Sequence, residues 1–239
     1  MTDPLEPDRY GPTSISFNEQ ILANKLAGIG FLHLGTIQND NEILFTEPEF
    51  ETLILIGSTG AKLWPVFQCS SEFADGLPEP LDRFTMRVLS RIAAELGLKV
   101  MFPFEGPPFH PFQQWALKRG GFSQSPLGVL VSEEHGPWVG FRGAFLVPDT
   151  KPSKATASRP GPCETCSDKP CLSGCPVSAV SLNNGYDVSK CKGYLRTTPN
   201  ADCWSGCLAR RACPFGREHK QTPENARFHM ESFIRLAEG

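Results

Sequence analysis

The 239-residue sequence is short of several features, and each shortage narrows what the chain can be. No apolar run is long enough to cross a bilayer. Met1 to Thr13 are polar and proline-bearing and lack the basic start and apolar middle of a secretion signal, so the chain reads as soluble and cytoplasmic. There is no long basic run and no RNA-module motif, and nucleic acid is not an expected partner. No internal repeat is visible beyond two runs that each close on Cys-Pro. With 40% hydrophobic and 21% charged residues, the chain can build one core of ordinary size plus a small appended domain. Such a chain does not need disulfide staples.

What it does have is clustered cysteine. Eight of its nine cysteines fall between Cys163 and Cys213. They read Cys163-x2-Cys166-x4-Cys171-x3-Cys175-Pro176, then Cys191, then Cys203-x3-Cys207-x5-Cys213-Pro214. In a reducing compartment such clusters serve metals or catalysis. Eight thiolates are what two [4Fe–4S] clusters require, four per cube. Two all-cysteine zinc sites would use the same number, but paired zinc knuckles do not need the Cys-Pro ends. In two-cluster ferredoxins the Cys before Pro crosses to the other cube. That rule puts Cys163, Cys166 and Cys171 with Cys213, and Cys175 with Cys203 and Cys207. Charge agrees: residues 151–220 carry 11 Lys+Arg against 5 Asp+Glu, the remainder 12 against 21. An anionic pair of thiolate cubes would absorb that local excess. The ninth cysteine, Cys69, reads as a partly buried free thiol.

Upstream, Ser16-x-x-Glu19 reads as a capping box ahead of a helix carrying Ile21, Leu22 and Leu26. Gly30 to Gly35 reads as a short strand in which His33 is half-buried. Glu51 to Gly57 is an apolar run suited to a sheet centre, after which Ser58-Thr59-Gly60 turns towards a short helix with Trp64. Leu81 to Leu96 carries one apolar stripe, with Pro80 in its first turn and Gly97 at its end; it reads as core packing. Val100 to Phe112 is aromatic and proline-rich, with Glu105 and His110 its ionisable groups. It is either a rigid pocket-lining loop or a structural crossover. Gln113 to Lys118 begins a helix that stops at Gly120-Gly121. Leu127–Ser132 and Trp138–Val147 read as a hairpin with His135 at a solvated tip. Asp149 to Gly161 reads as a linker. Thr222-Pro223 caps a last helix with Ala226, Met230, Phe233, Ile234 and Ala237 on one face.

The cysteine module, with Lys190-Cys191-Lys192-Gly193-Tyr194-Leu195-Arg196 between its two runs, resembles that of the epoxyqueuosine reductases and the corrinoid-dependent reductive dehalogenases. That resemblance implies that Cys191 completes the second cluster with Cys175, Cys203 and Cys207. The first run has x4 where that family usually has x2. Trp115 to Gly121 followed by Leu127–Ser132 and Gly136–Leu146 is similar to the helix, glycine turn and hairpin of the epoxyqueuosine reductases. Gly136 to Pro148 also resembles the CblC cobalamin-processing proteins. Both families use a nitroreductase-like α+β domain that holds a corrinoid. The resemblance implies a corrinoid against Gly128, Val129 and Leu130, and Arg142 near the thiol-substrate site of the CblC family. The aspartate that the epoxyqueuosine reductases use as proton donor has no counterpart in Glu105 to Pro111. Glu105 or His110 would have to act as the catalytic acid, and the tail that holds tRNA in the bacterial family is missing.

The expected fold is therefore α+β: a nitroreductase-like domain at 1–148 and a linker at 149–161. A bacterial-ferredoxin-like double [4Fe–4S] module at 162–220 follows, with a C-terminal helix at 221–239 packing back. The expected function is one-electron transfer through two clusters to a corrinoid (cobalamin), in cobalamin processing or in reduction of a small substrate. A flavodoxin, ferredoxin or reductase would donate the electrons, and a flavin could fill the same pocket. The alternative is a ferredoxin-like carrier whose Lys190, Lys192, Arg196, Arg210 and Arg211 face an acidic redox partner.

Overall fold

The computed structural model describes residues 17–38, 50, 52–147 and 159–235, and it is a mixture of helix and strand as expected of an α+β chain. Helix α1 (Glu19–Ala27) is capped by Asn18, whose Oδ1 accepts from the N–H groups of Gln20 and Ile21 at 2.9 and 3.2 Å. Ser16 of the expected capping box lies outside the described residues. Glu19 turns elsewhere: it accepts from Thr36 Oγ1 at 2.8 Å and pairs with His33 Nε2 at 2.9 Å.

The sheet is built on alternation. Strand β1 (Phe31–Gln38) pairs antiparallel with β2 (Thr52–Ser58), every residue of which is buried. Ile54 and Ile56 point into one core with Phe31, Phe67, Phe84 and Leu89. Leu53 and Leu55 point into the other with Leu34, Met101, Trp115 and Leu146. A period of two on a strand covered on both faces makes both sets apolar. Each such side chain contributes roughly 1.5–3 kcal/mol on burial.

Helix α2 (Gly60–Gln68) follows directly, then a short α3 (Ser71–Ala74) and the long α4 (Pro80–Leu96), with Pro80 at its start and Gly97 beyond its end at φ +65. Cys69 at the end of α2 is exposed rather than partly buried, because α2 turns only Leu63, Trp64 and Phe67 inward. Strand β3 (Lys99–Met101) leads into a crossing loop with two cis X-Pro bonds at Pro107 and Pro108 and then into α5 (Phe112–Arg119).

Residues 127–147 depart from the expected hairpin. Leu127 to Leu130 is a turn, with the Gly128 N–H donating to Ser125 O at 3.2 Å. The short strand β5 (Val131–Ser132) pairs with β4 (Phe122–Ser123), whereas β6 (Gly140–Val147) pairs with β2 and β3. The four-stranded order is β1-β2-β6-β3. The reason is burial: Ala144, Phe145, Leu146 and Val147 are apolar on both faces, and a central place covers both where a two-stranded ribbon covers one. His135 is likewise buried, at 8% exposure, rather than at a solvated tip.

The thiol-bearing half is made of short elements. These are α6 (Pro170–Ser173), the ribbon of β7 (Val180–Ser181) and β8 (Gly185–Tyr186), α7 (Val188–Thr197), a 3-10 turn at Asp202–Ser205, and α8 (Leu208–Arg211). A second 3-10 turn, Arg217–His219, precedes α9 (Pro223–Arg235), which Thr222 caps by accepting from the Asn225 N–H at 3.3 Å. Helix α9 packs back on both halves. Phe228 lies 5.3 Å from Trp64 and 5.6 Å from Phe67, while Met230, Phe233 and Ile234 pack with Leu195 and Cys203. Ala237 lies outside the described residues, as do 149–158 of the expected linker. Just beyond, Arg159 O accepts from the Gly121 N–H at 2.7 Å. Among the described residues no helix is long and apolar enough to cross a membrane.

Candidate functional site

The eight cysteines from Cys163 to Cys213 are all free thiols, half-buried or buried. Cys163, Cys166, Cys171 and Cys213 line one small cavity with Leu127, Val131, Lys169 and Pro214. Burial pushes the Cys163 thiol up to about 11, and charge on Cys213 adds to the rise. Cys171 is raised by burial and then by Cys213 and Cys166. In the second group, burial raises Cys191, with Cys207, Cys175 and Cys203 adding to it. Burial also raises Cys203, again with Cys207 and Cys175.

Local donors hold each loop in place. Lys169 Nζ donates to the carbonyls of Cys163 and Cys166 at 2.7 and 3.0 Å, closing the x2 turn. The Cys163 N–H donates to Ser123 Oγ at 3.0 Å, tying the first group to β4. In the second, the Ala179 N–H donates to Cys175 Sγ at 3.2 Å, and the Tyr186 hydroxyl is hydrogen-bonded to the Cys191 sulfur. Gly128 is where Tyr186 approaches: a Cβ there would sit 3.3 Å from the Tyr186 ring. Among the described residues no three His, Cys, Asp or Glu side chains are placed to hold a single metal ion. A tetrahedral zinc would need its four sulfurs each about 2.3 Å from one point. A cube puts each thiolate on a different iron and spreads them further.

Between the sheet and the thiol-bearing half lies a cavity of about 870 Å³, near the upper end of the roughly 300–1,000 Å³ usual for small-molecule sites. One wall is aromatic: Trp64, Phe67, Phe73 and Phe228. The other end is polar and brings together basic groups from three elements, Arg142 of β6, Arg210 of α8 and His229 of α9. Arg142 Nε donates to Ser58 Oγ at 2.9 Å. Arg210 Nε donates to Pro137 O at 2.8 Å, and its guanidinium carbon stands 4.6 Å from the centre of the Trp138 ring. Burial lowers the pKa of both arginines, Arg210 to about 10. Burial, with the fields of Arg142 and Arg210, brings His229 down to about 3 and keeps it neutral. Asp82, at the start of α4, is raised by burial and held back by Arg142.

The residues singled out in the sequence are divided by this geometry. Val129 and Arg142 line the cavity; Gly128 packs on Tyr186 and Leu130 is in the core below the sheet. Glu105 accepts from the Phe102 N–H at 2.9 Å, His110 stacks on Trp115, and neither lines the cavity. Of the five basic residues of the supposed docking face, Lys192 is buried at 2% exposure against Phe233, and Arg210 turns inward to the cavity. The sequence reading missed Ser58, Thr59, Asp82, Arg210 and His229 as cavity residues. The strand–Ser58-Thr59-Gly60–helix transition was the one available signal, since helix starts after strands commonly face ligands.

No family model matches the chain, and no curated protein matches it. Solved structures do. The B12-trafficking protein CblC of C. elegans, a human MMACHC homologue, is similar at TM-score 0.53 and 13% identity, over 92% of this chain and 97% of that one. Epoxyqueuosine reductase from Streptococcus thermophilus is similar at TM-score 0.42 and 14% identity, over 84% of this chain and 67% of that one. A CblC protein, of one family that the sequence resembles, is thus among its structural neighbours. At such identity the CblC likeness is one of fold.

Proposed function

We propose that the protein is an iron–sulfur, corrinoid-binding reductase. It consists of a nitroreductase-like domain followed by a ferredoxin-like double [4Fe–4S] module. The carrying observation is the 870 Å³ cavity, whose wall is shared by the β-sheet half and by Arg210, one helix turn beyond Cys207. Cys163, Cys166, Cys171 and Cys213 would ligate one cluster, and Cys175, Cys191, Cys203 and Cys207 the other. Their grouping by mutual electrostatics matches the Cys-Pro crossover rule. We take the second group as the inner one, because Cys207 caps the short helix whose Arg210 lines the cavity and acts electrostatically on that arginine.

The aromatic wall suits an apolar macrocycle face, and Arg142, Arg210 and the hydroxyls of Ser58 and Thr59 suit acceptor groups at its edge. The trafficking of B12 by the CblC neighbour supports a corrinoid as occupant. When bound, the clusters would supply one-electron transfer and the corrinoid a redox-active cobalt. The chain's own residues hold the thiolates, donate hydrogen bonds to two of the sulfurs through Ala179 and Tyr186, and keep bulk water from the aromatic wall. The electrons must come from a low-potential one-electron donor.

Anaerobic reconstitution with iron and sulfide, followed by visible spectra with and without cobalamin, tests this. About eight irons per chain, and a cobalamin spectrum that changes on binding and again on reduction, are the expected results. Eight irons with no cobalamin retained at high micromolar concentration would instead indicate an electron carrier. A colourless reconstituted protein would remove the cluster reading altogether.

A further inference from the structure

Arg210 stands at the meeting point of all three parts of this site. It lies in α8 between Cys207 and Cys213. Its carbonyl accepts from the Cys213 N–H at 3.2 Å, so its backbone belongs to the first thiol group. Its guanidinium shares an electrostatic interaction with Cys207 of the second group and lines the large cavity. Two contacts fix that head: the bond to Pro137 O at 2.8 Å and the stack on Trp138 at 4.6 Å. Among the described residues no carboxylate pairs with it. A fixed cation in a low-dielectric interior, unneutralised by a neighbour, acts on whatever negative charge arrives beside it.

We propose that Arg210 is the positioning residue that makes the Cys175–Cys191–Cys203–Cys207 cluster, beside the cavity wall, easier to reduce than it would be without that charge. The proposal rests on the iron–sulfur reading above. With the cluster bound, an external low-potential donor would lose one electron and the inner cluster would gain it, with no bond made or broken. The added negative charge lies beside the guanidinium. The outer cluster would meet only the Arg210 backbone; its own nearby cations, Lys169 and Arg217, are left in place by a change at Arg210. A compact ammonium at this position would keep the charge, whereas a neutral side chain would lose it while leaving α8 intact.

The test is a redox titration of the full-length, reconstituted protein without corrinoid, followed by electron paramagnetic resonance, for the parent, Arg210→Gln and Arg210→Lys. In Arg210→Gln one of the two cluster signals should become harder to reduce. At a fixed potential its reduced-to-oxidised ratio should fall about tenfold, equivalent to about 59 mV for one electron. The other signal should stay put, and Arg210→Lys should stay near the parent. If Arg210→Gln does not fold, Trp138→Leu, which removes the ring beneath the guanidinium, should shift the same signal in the same direction by less. Eight irons with neither signal moved, or with both moved together, would overturn the inference and leave the function proposed above standing. Failure of the parent protein to take up iron would overturn both.

Discussion

The imidazoles of His135 and His219 lie 4.7 Å apart, tilted by 31°, and join the turn before β6 to the 3-10 turn behind Cys213-Pro214. The backbones on either side are closer still. A Cβ at Gly136 would come 2.1 Å from Phe215 O, and one at Gly216 would come 2.2 Å from the His135 carbonyl carbon. Both glycines have positive φ, +56 and +61. This is a main-chain docking of the thiol-bearing half onto the sheet half, and it has no room for a side chain.

Gly136→Ala and Gly216→Ala should therefore each cost about 2 kcal/mol or more, because steric overlap adds to the cost of a left-handed non-glycine residue. Chemical denaturation measures the loss. Gly185→Ala, with φ +66 but open space around it, separates the two terms and should cost only about 1 kcal/mol. Equal losses at all three positions would argue against a close interface.

How the two halves meet could not be read in advance, and the reason is physical. Strand β2 and helix α4 carry their partners in their own periodicity, two for a strand and 3.6 for a helix, so their existence and burial were legible. The crowding of eight cysteines into one segment was legible too, since it is written in the spacing. The partner of β6 depended on β2, more than eighty residues away, and a local turn signal at Glu133 to Gly136 suggested a hairpin. His135, Lys192 and Arg210 looked like surface groups for the same reason: what buries them comes from distant elements. Only the third dimension brought β6, α8 and α9 round one cavity.

Acid should weaken the fold through His229. Its pKa is held near 3 against an unfolded value near 6.5, by burial and then by the fields of Arg142 and Arg210. The folded pKa is depressed, so on acidification the unfolded chain takes up the proton first. Stability is full above about pH 7 and falls as pH drops towards 3. At pH 5 the linkage amounts to about 2 kcal/mol, or about 1 kcal/mol once solvent in the cavity is allowed for. His229→Gln should flatten the stability profile between pH 7 and 5, as followed by urea denaturation. An unchanged slope would mean that the imidazole is solvated.

Tyr186 gives a second handle on the inner thiol group. Its hydroxyl is bonded to the Cys191 sulfur, which lowers the Cys191 pKa against the rise from burial. Its ring is fixed by stacking on Phe233 at 6.3 Å and by the approach to Gly128. Tyr186→Phe keeps both packing contacts and removes only the O–H. On the iron–sulfur reading, one cluster loses a hydrogen bond to sulfur and should become harder to reduce. Thermal stability should change by no more than about 1 kcal/mol. A shift in the other cluster, or in both, would contradict the placement of Cys191 in the inner group.

Cysteine replacement tests the grouping most directly. On the iron–sulfur reading proposed above Cys171 and Cys207 fall in different sets, yet both pack in one apolar cluster around Leu127, Val180 and Ala209. Serine is nearly isosteric with cysteine, so packing should survive either change, while a hydroxyl is a far poorer ligand for iron than a thiolate. Cys171→Ser should leave one cluster, that of Cys175, Cys191, Cys203 and Cys207, and Cys207→Ser the other. Each variant should retain about half of the parent's iron, with distinct paramagnetic signals when reduced. Cys69→Ser, at an exposed thiol on the end of α2, should retain all of it. The double variant Cys171→Ser, Cys207→Ser separates two cases. If the groups are independent it should bind almost no iron, because each cube has lost a ligand. If the two thiols served a single shared centre, the double variant would match either single one, and the division into two quartets would be wrong.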